Sequence, residues 1–204
     1  MKTTETVFIL DRSGSMSGLE KDTIGGFNSM LQKQKKLPGR AFVTTVLFDD
    51  RYELLHDHED IRTVRKLTEK DYYVRGCTAL LDAVGMTVER MLEADRNDQL
   101  LFVITTDGYE NASRRYDYQK VKKLISRARE MGWEFIFMGA NFDSAEVAGS
   151  IGIRRSVDYY AEAEALDVQY DAICKAMTAI RSGSGIDNDW DAWIREYNRN
   201  RKQK

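Results

Sequence analysis

Short apolar segments that lack polar alternation recur along this chain, and longer amphipathic segments separate them. Three of the apolar segments are Val7–Leu10, Leu100–Thr105 and Trp133–Met138. A strand that is apolar on both faces is buried on both sides, as in a parallel sheet covered by helices. The pattern predicts an α/β fold, a doubly wound and mostly parallel six-stranded sheet with helices on both faces.

Three further strands and five helices complete the predicted order. The strands are expected at Phe42–Phe48, Tyr52–His56 and Arg154–Val157. Asp49-Asp50-Arg51 has the composition of a tight turn, so the first two of these strands should form a hairpin with one antiparallel edge. A short helix is expected near Ser144–Gly149. The other helices carry apolar stripes at Ile24, Phe27 and Leu31; at Leu81, Val84, Val88, Met91 and Leu92; at Val121, Leu124, Ile125, Ala128 and Met131; and at Leu166, Tyr170, Ile173, Met177 and Ile180.

Length and turn residues predict how the chain is divided. Its 204 residues fit one domain of ordinary size with a short appendage. Ser182-Gly-Ser-Gly185 is linker-like, so we expect a domain over residues 1–182 and a C-terminal tail over 183–204. The tail carries Trp190 and Trp193, which either dock on the domain or meet a partner.

Charge and hydropathy exclude several classes of protein. No apolar run approaches the roughly 18 residues that a membrane span needs. The chain has 31 basic and 33 acidic residues, a formal net charge of -2, whereas recognition of nucleic acid through its phosphates needs a basic excess. The basic residues near the C-terminus are expected to form a solvated tail. We therefore expect no membrane span and no nucleic-acid partner.

Cysteine usage and the amino terminus indicate a compartment. Cys77 and Cys174 are too few for a disulfide framework, and Val7–Leu10 is too short for the apolar core of a signal peptide. We expect a cytoplasmic protein with reduced thiols.

Oxygen-bearing side chains follow the predicted strands. Asp11-Arg-Ser13-Gly-Ser15 comes after the first strand, Thr106-Asp107-Gly108 follows Leu100–Thr105, and Gly76-Cys77-Thr78 precedes a helix. In an open parallel sheet, ligands bind at the carboxyl ends of the strands, near the point where the strand order reverses. Carboxylates and hydroxyls without His or Cys suit a hard cation such as Mg²⁺.

The spacing of these residues has a physical reason. Ser13 and Ser15 are two positions apart in a turn, so both hydroxyls can face one point above the sheet, and Gly14 allows a tight path. Asp11 and Asp107 end neighbouring strands and can balance the charge of a divalent ion. A carboxylate from another molecule could fill a free position on that ion. The chemistry indicated is capture of an acidic group, with no bond broken.

These motifs, in this order, resemble the metal-ion-dependent adhesion site (MIDAS) of von Willebrand factor type A (VWA) domains. The resemblance covers about residues 4–180, including the Phe48-Asp49-Asp50 hairpin. It implies a Rossmann-like sheet with a metal at its top, and a partner's Asp or Glu completing the coordination. One departure is Cys77, where many relatives have glycine. The ligands implied are the hydroxyls of Ser13, Ser15 and Thr78, with Asp11 and Asp107 binding directly or through water.

The resemblance also implies a function. We expect a non-enzymatic, Mg²⁺-dependent module that binds an acidic side chain of a protein, with Mn²⁺ or Ca²⁺ as alternative ions. Intracellular domains of this type resemble subunits that work beside ATPases or in multiprotein assemblies. Arg12, Arg75, Tyr109, Glu110 and Asn111 are expected around the metal. The two arginines either hold a second acidic group of the partner or form surface salt bridges.

Two other functions remain as alternatives. A Mg²⁺-dependent phosphatase of the haloacid-dehalogenase type also places an aspartate after its first strand, but it needs a second carboxylate where this chain has Ser13. A structural protein that oligomerises through its tail is the other alternative.

One histidine pair is a candidate for a second metal site. His56-x-His58, followed by Glu59 and Asp60, is compatible with zinc if the two histidines share a strand face. Without a convincing fourth ligand, a solvated strand end is the favoured interpretation.

Overall fold

The computed structural model describes residues 3–96 and 98–202. None of its helices is long and apolar enough to cross a membrane. The strands are β1 (Thr4–Asp11), β2 (Ala41–Phe48), β3 (Tyr52–Asp60), β4 (Gln99–Thr106), β5 (Glu134–Ala140) and β6 (Arg155–Tyr159). The helices are α1 (Glu20–Lys35), α2 (Leu80–Glu93), α3 (Tyr118–Glu130), α4 (Ser144–Ser150), α5 (Ala163–Ser182) and α6 (Ala192–Lys202).

The strands form one six-stranded sheet in the order β3-β2-β1-β4-β5-β6. Every pairing is parallel except that of β2 with β3, which is the antiparallel edge expected from the hairpin. The predicted fold class is therefore confirmed. The strand order reverses at β1, which lies between β2 and β4, so the loops leaving β1 and β4 meet at the carboxyl edge of the sheet.

Each face of the sheet is covered by its own hydrophobic core. In β1, Phe8 and Leu10 pack toward α1 and α5, whereas Val7 and Ile9 pack toward α2 and α3. All four side chains are fully buried. Successive residues of a strand point to opposite faces, so a strand between two apolar cores must be apolar at every position. This explains the missing polar alternation.

The C-terminal tail packs on its own domain. Helix α5 ends at Ser182, and Gly183 adopts the left-handed conformation with φ of 77° that commonly ends a helix. Trp190 and Ile194 are buried in the core on the α1–α5 face. Trp193 is 52% exposed, and Lys175 Nζ lies 5.4 Å from the centre of its ring. The tail tryptophans were expected either to dock on the domain or to meet a partner, and docking is seen for Trp190. The division of the chain at residue 182 stays a prediction.

The close packing of α1 on α5 can be tested at Gly26. A Cβ atom there would lie 2.2 Å from Cδ2 of the buried Tyr170, whereas a Cβ atom at the neighbouring Gly25 would meet no atom within 4 Å. Gly26→Ala should lower the free energy of unfolding by about 1–3 kcal/mol because it overpacks this contact. The matched control Gly25→Ala should raise it by about 0.5–1 kcal/mol through helix propensity. Urea denaturation measures both, and equal effects would contradict the packing.

Candidate metal centre

Three predicted hydroxyl ligands come together above the carboxyl ends of β1 and β4. Ser13 Oγ lies 3.0 Å from Ser15 Oγ and 3.0 Å from Thr78 Oγ1. Ser13 and Thr78 are buried, while Ser15 is exposed at the top of the group. Residues 65 positions apart therefore share one small cluster whose outer side is open to solvent.

Gly108 keeps the space beside these hydroxyls free. A Cβ atom at Gly108 would lie 2.7 Å from Thr78 Oγ1, 3.0 Å from Ser15 Oγ and 3.7 Å from Ser13 Oγ. The space that glycine leaves is thus lined by all three oxygens. Any larger residue at this position would place a methylene group against them.

Asp11 lies directly below the hydroxyls and is fully buried. Its Oδ1 accepts a hydrogen bond of 2.6 Å from the Ser13 N–H, and its Oδ2 accepts one of 2.5 Å from Thr106 Oγ1. Burial raises the pKa of Asp11 to about 6, even though these hydrogen bonds favour the charged form. A cation bound beside the carboxylate would compensate the cost of its burial.

Asp107 completes the predicted set from the end of β4. It is only 4% exposed, and among the described residues neither carboxylate oxygen has a hydrogen-bond partner. Burial raises the pKa of Asp107, and the Ser15 hydroxyl opposes this shift without meeting hydrogen-bond geometry. A buried carboxylate with both oxygens unpaired is costly, so such groups in proteins are usually bound to a cation.

The arrangement fits a Mg²⁺ ion on three counts. Oxygens on adjacent corners of an octahedron with metal–oxygen distances of about 2.1 Å lie about 3.0 Å apart, which matches the hydroxyl spacing. The donor set is all oxygen, which a hard cation prefers. Asp107 supplies acceptor atoms that no other described residue uses. The three hydroxyls line one space, Asp11 and Asp107 lie at the strand ends that adjoin them, and the role of all five residues as ligands stays a prediction.

Backbone hydrogen bonds hold the two hydroxyl-bearing loops together. Gly14 N–H donates to the Gly76 carbonyl at 3.2 Å, and Arg75 N–H donates to the Arg12 carbonyl at 2.9 Å. Gly76 has φ of 65°, and a Cβ atom there would lie 2.2 Å from Asp50 Oδ1. Glycine is therefore favoured at position 76 by its left-handed backbone, and a larger residue would also displace the exposed Asp50 side chain.

Of the two roles left open for the arginines, ion pairing is the one seen for Arg12, but inside the protein rather than at its surface. The Arg12 side chain is fully buried and turns away from the hydroxyls, where it pairs with Asp49 at 3.3 Å and with Glu53 at 2.5 Å. Arg75 also pairs with Asp49, at 2.5 Å, and is 29% exposed. Burial opposes the charged form of Asp49, yet hydrogen bonds from Arg75 and the Arg51 N–H hold its pKa below the ordinary value. Both arginines brace the β2–β3 hairpin.

Of the three residues expected around the metal after Gly108, two are used to join loops. The Asn111 side chain accepts from the Thr78 N–H at 2.9 Å, and the Asn111 N–H donates to the Thr78 carbonyl at 3.0 Å. Glu110 accepts from the Leu81 N–H at the start of α2. Tyr109 is 64% exposed and packs on Phe142. Asn111 therefore fixes the loop that carries Thr78, a role that the sequence pattern did not indicate.

Thr106 is a second residue whose role the motif alone did not reveal. Its hydroxyl donates to Asp11 Oδ2 and accepts from the Gly108 N–H at 3.2 Å. It thus links the acid that ends β1 to the glycine that follows β4. The Thr106-Asp107-Gly108 motif includes this residue, but the pattern indicates a role only for the aspartate.

The expectation for His56 and His58 is also corrected. His56 is fully buried, with Nδ1 3.0 Å from Thr45 Oγ1, and so is not at a solvated strand end. Burial lowers the pKa of His56 to about 4. His58 has φ of 51°, and the ladder between β2 and β3 is irregular beside it. Because the strand is distorted between them, the two histidines have separate sets of partners.

Comparison with known proteins supports the fold. No family model matches the chain, and no curated protein matches its sequence. The structure is similar to the vWF domain of the type V pilus tip protein Mfa5 from Porphyromonas gingivalis, at 12% identity and a TM-score of 0.60, over 88% of this chain and 96% of that one. It is also similar to the SpRpn10 VWA domain, at 13% identity and a TM-score of 0.56, over 83% and 94%.

A third similar structure comes from the mussel byssus. Proximal thread matrix protein 1 matches at 16% identity and a TM-score of 0.59, over 85% of this chain. The chain spans only 46% of the length of that protein. The chain has the fold of VWA domains. At these identities the likeness establishes the fold and leaves the activity to be argued from the residues.

The unpaired charge at Asp11 predicts that this residue destabilises the metal-free protein. Its folded-state pKa of about 6 lies above the ordinary 3.8. The folded chain therefore binds an extra proton between these values, and the stability from this group is lost as the pH rises through 6. Asp11→Asn should raise the free energy of unfolding at pH 7 in EDTA by up to about 3 kcal/mol.

The matched measurement is the same denaturation at pH 5, where Asp11 of the unsubstituted protein is largely protonated. The difference in the free energy of unfolding between the unsubstituted protein and Asp11→Asn should then shrink. The amide can accept from the Ser13 N–H and donate to Thr106 Oγ1, so both contacts of Asp11 can be kept. A variant that is less stable at pH 7, or a difference that does not change with pH, would contradict the account.

Proposed function

We propose that this protein is a metal-dependent protein-binding module. Mg²⁺, with Mn²⁺ or Ca²⁺ as alternatives, would be held by Asp11, Ser13, Ser15, Thr78 and Asp107. The occupied site would capture an Asp or Glu side chain of a protein partner. The proposal is carried by the three hydroxyl oxygens at metal-ligand spacing around the space that Gly108 leaves free.

The balance of charge at the site supports binding of a further acidic group. Only Asp11 and Asp107 carry charge among the five residues, and both are buried below or beside the neutral hydroxyls. A Mg²⁺ ion bound there would act as a Lewis acid whose charge is weakly neutralised by its hydroxyl ligands. Thr106 and the Ser13 N–H hold Asp11 in place through its two oxygens. Asn111 holds the Thr78 loop against the Asp107 loop.

The surroundings of the site leave room for a protein surface. Ser15 and Cys77 are exposed, Tyr109 is 64% exposed, and Tyr73 is 44% exposed. Exposed tyrosines beside a polar centre are common in protein interfaces, because the ring adds apolar contact at low entropic cost. An acidic side chain could approach from the solvent side without displacing a buried group.

Metal binding can be tested by closing the space at Gly108. Gly108→Ala adds one methyl group within 3.0 Å of two hydroxyl oxygens and removes no predicted ligand. It should weaken Mg²⁺ binding at least about tenfold in isothermal titration calorimetry, because one misplaced atom in the first coordination sphere disrupts octahedral geometry. Gly14→Ala is the matched control, since its Cβ atom would meet only the Gly76 carbonyl, at 3.5 Å.

The control should bind Mg²⁺ as the unsubstituted protein does. Mg²⁺ binding that is equally strong in Gly108→Ala, or absent from the unsubstituted protein, would overturn the metal site. Circular dichroism of each variant shows whether the fold is retained.

Capture of an acidic group needs a separate test with a displayed peptide library. Peptides selected in Mg²⁺ should each depend on one Asp or Glu, and replacing it with Asn or Gln should abolish binding. Addition of EDTA, or Ser13→Ala in the protein, should release them. Selected peptides that bind equally well in EDTA, or after loss of every acidic residue, would contradict the mechanism.

We assign no catalytic residue within this proposal. Ser13 stands where a haloacid-dehalogenase phosphatase needs its second carboxylate, and a screen with small phosphoesters tests that alternative. Trp190 and Ile194 are packed in cis, which removes them from the alternative in which the tail makes an oligomer. Cytoplasmic localisation and work beside an ATPase or in a multiprotein assembly belong to the proposal; Cys77 and Cys174 are free thiols, as a reducing compartment would require.

A further inference from the structure

A second group of metal-binding side chains lies at the opposite edge of the sheet. Glu5 is near the amino end of β1, His58 is near the end of the antiparallel β3, and Asp98 immediately precedes β4. One ligand atom from each lies within 4.8 Å of the other two. Glu5 and Asp11 are six residues apart on one strand, so the two sites are separated by about 20 Å.

Glu5 is unusual because it is a fully buried acid in a strand of the central sheet. It is 0% exposed, and its Oε1 accepts a hydrogen bond of 2.5 Å from Thr44 Oγ1. Its Oε2 lies 2.8 Å from His58 Nδ1 and 3.4 Å from Arg96 Nη1. A carboxylate is rarely buried without a specific partner for its charge. The contacts with Thr44 leave Oε2 directed at His58.

His58 is held in place by its backbone and by its ring. Its N–H donates to Thr44 Oγ1 at 2.9 Å, so the same hydroxyl group orients both His58 and Glu5. The imidazole stacks on Phe42, with ring centres 3.9 Å apart and an angle of 12° between the planes. The side chain is 26% exposed, so part of the imidazole is in contact with solvent.

The geometry points to a second divalent-cation site at Glu5, His58 and Asp98, with Zn²⁺ as its first candidate. An imidazole nitrogen with two carboxylates favours Zn²⁺ and its transition-metal neighbours over Mg²⁺, which takes oxygen ligands. Three protein ligands leave a position for water or another donor. The site is independent of the proposed function because it uses none of the residues at the carboxyl edge.

Occupation requires the three ligand atoms, which lie within 4.8 Å of one another, to rearrange, and Asp98 also has a contact with Thr3 Oγ1. Ligands of a tetrahedral zinc ion lie about 3.3 Å apart, so His58 Nδ1 and Glu5 Oε2 would separate by about 0.5 Å. The metal would take the place of the proton between them, with the neutral ring protonated on its other nitrogen. Arg96 would give up its contact with Glu5, while Asp57 Oδ1, 4.0 Å from Arg96 Nη2, remains near it.

The competing explanation is a network of ion pairs without a metal. Arg96 and a protonated His58 would then neutralise Glu5, and the partly buried Asp98 would only accept its hydrogen bond from Thr3 Oγ1. The two explanations differ in what His58 does, because a protonated imidazole cannot ligate a metal. A test must therefore separate the loss of a ligand from the loss of negative charge.

Calorimetric titration of Zn²⁺ into the full chain, with excess Mg²⁺ present, tests the site. One equivalent should bind, and His58→Asn should weaken binding at least about tenfold. Asparagine suits this position because it tolerates the left-handed backbone. Asp98→Asn should have a similar effect. Asp57→Asn removes a nearby charge without removing a ligand and should change the affinity less than about threefold.

A spectroscopic measurement on the unsubstituted chain makes the test independent of how the variants fold. The zinc-edge X-ray absorption spectrum should contain the scattering of one imidazole. Gly108→Ala should leave Zn²⁺ binding unchanged, so the two proposed sites can fail separately. The inference is overturned if no equivalent binds, if His58→Asn binds as tightly as the unsubstituted chain, or if the spectrum lacks imidazole scattering.

Discussion

The candidate metal centre depends on two carboxylates that are buried at the ends of adjacent parallel strands. Asp11 and Asp107 are placed together because β1 and β4 pair in register and their loops leave the sheet at the same edge. Burying both without a cation is unfavourable, and the raised pKa of each carboxyl expresses that cost. The surrounding loops restrain this edge with backbone hydrogen bonds and with the buried Arg12. Under the proposed function, this loss of stability is the cost of a site that can bind a divalent ion.

The sequence predicted best the strands in which every residue is apolar because both faces of the strand are buried. Strand β1 was recognised from Val7–Leu10 because both of its faces meet a core. Strand β3 was predicted to stop at His56 but continues to Asp60, since an edge strand with one hydrogen-bonding neighbour needs no apolar pattern. The polar beginning of β1 was missed for a related reason. Thr4 and Glu5 are held by pairing with β2 and β4 rather than by apolar packing.

In the candidate metal centre, the positions of residues that belong to a motif were predictable. The positions of residues that depend on single long-range contacts were not. Ser13, Ser15 and Thr78 come together as their positions at strand and helix ends suggested. The burial of Arg12 could not be predicted, because it depends on ion pairs with Asp49 and Glu53 of the β2–β3 hairpin. In the group of Glu5, His58 and Asp98, only His58 gives a local signal, and the sequence pairs it with His56 rather than with the two acids. Glu5, His58 and Asp98 are far apart in the sequence. They meet because β3 runs antiparallel to the other strands, which brings its end to the edge where β1 and β4 begin.

The most direct measurement is a crystal structure of the protein grown with Mn²⁺, with anomalous data collected at the manganese edge. The account predicts one peak at about 2.1–2.3 Å from the oxygens of Ser13, Ser15 and Thr78, with at least one coordination position open toward solvent. No anomalous peak at the carboxyl edge, or a peak there whose open position is closed by the chain itself, would contradict it.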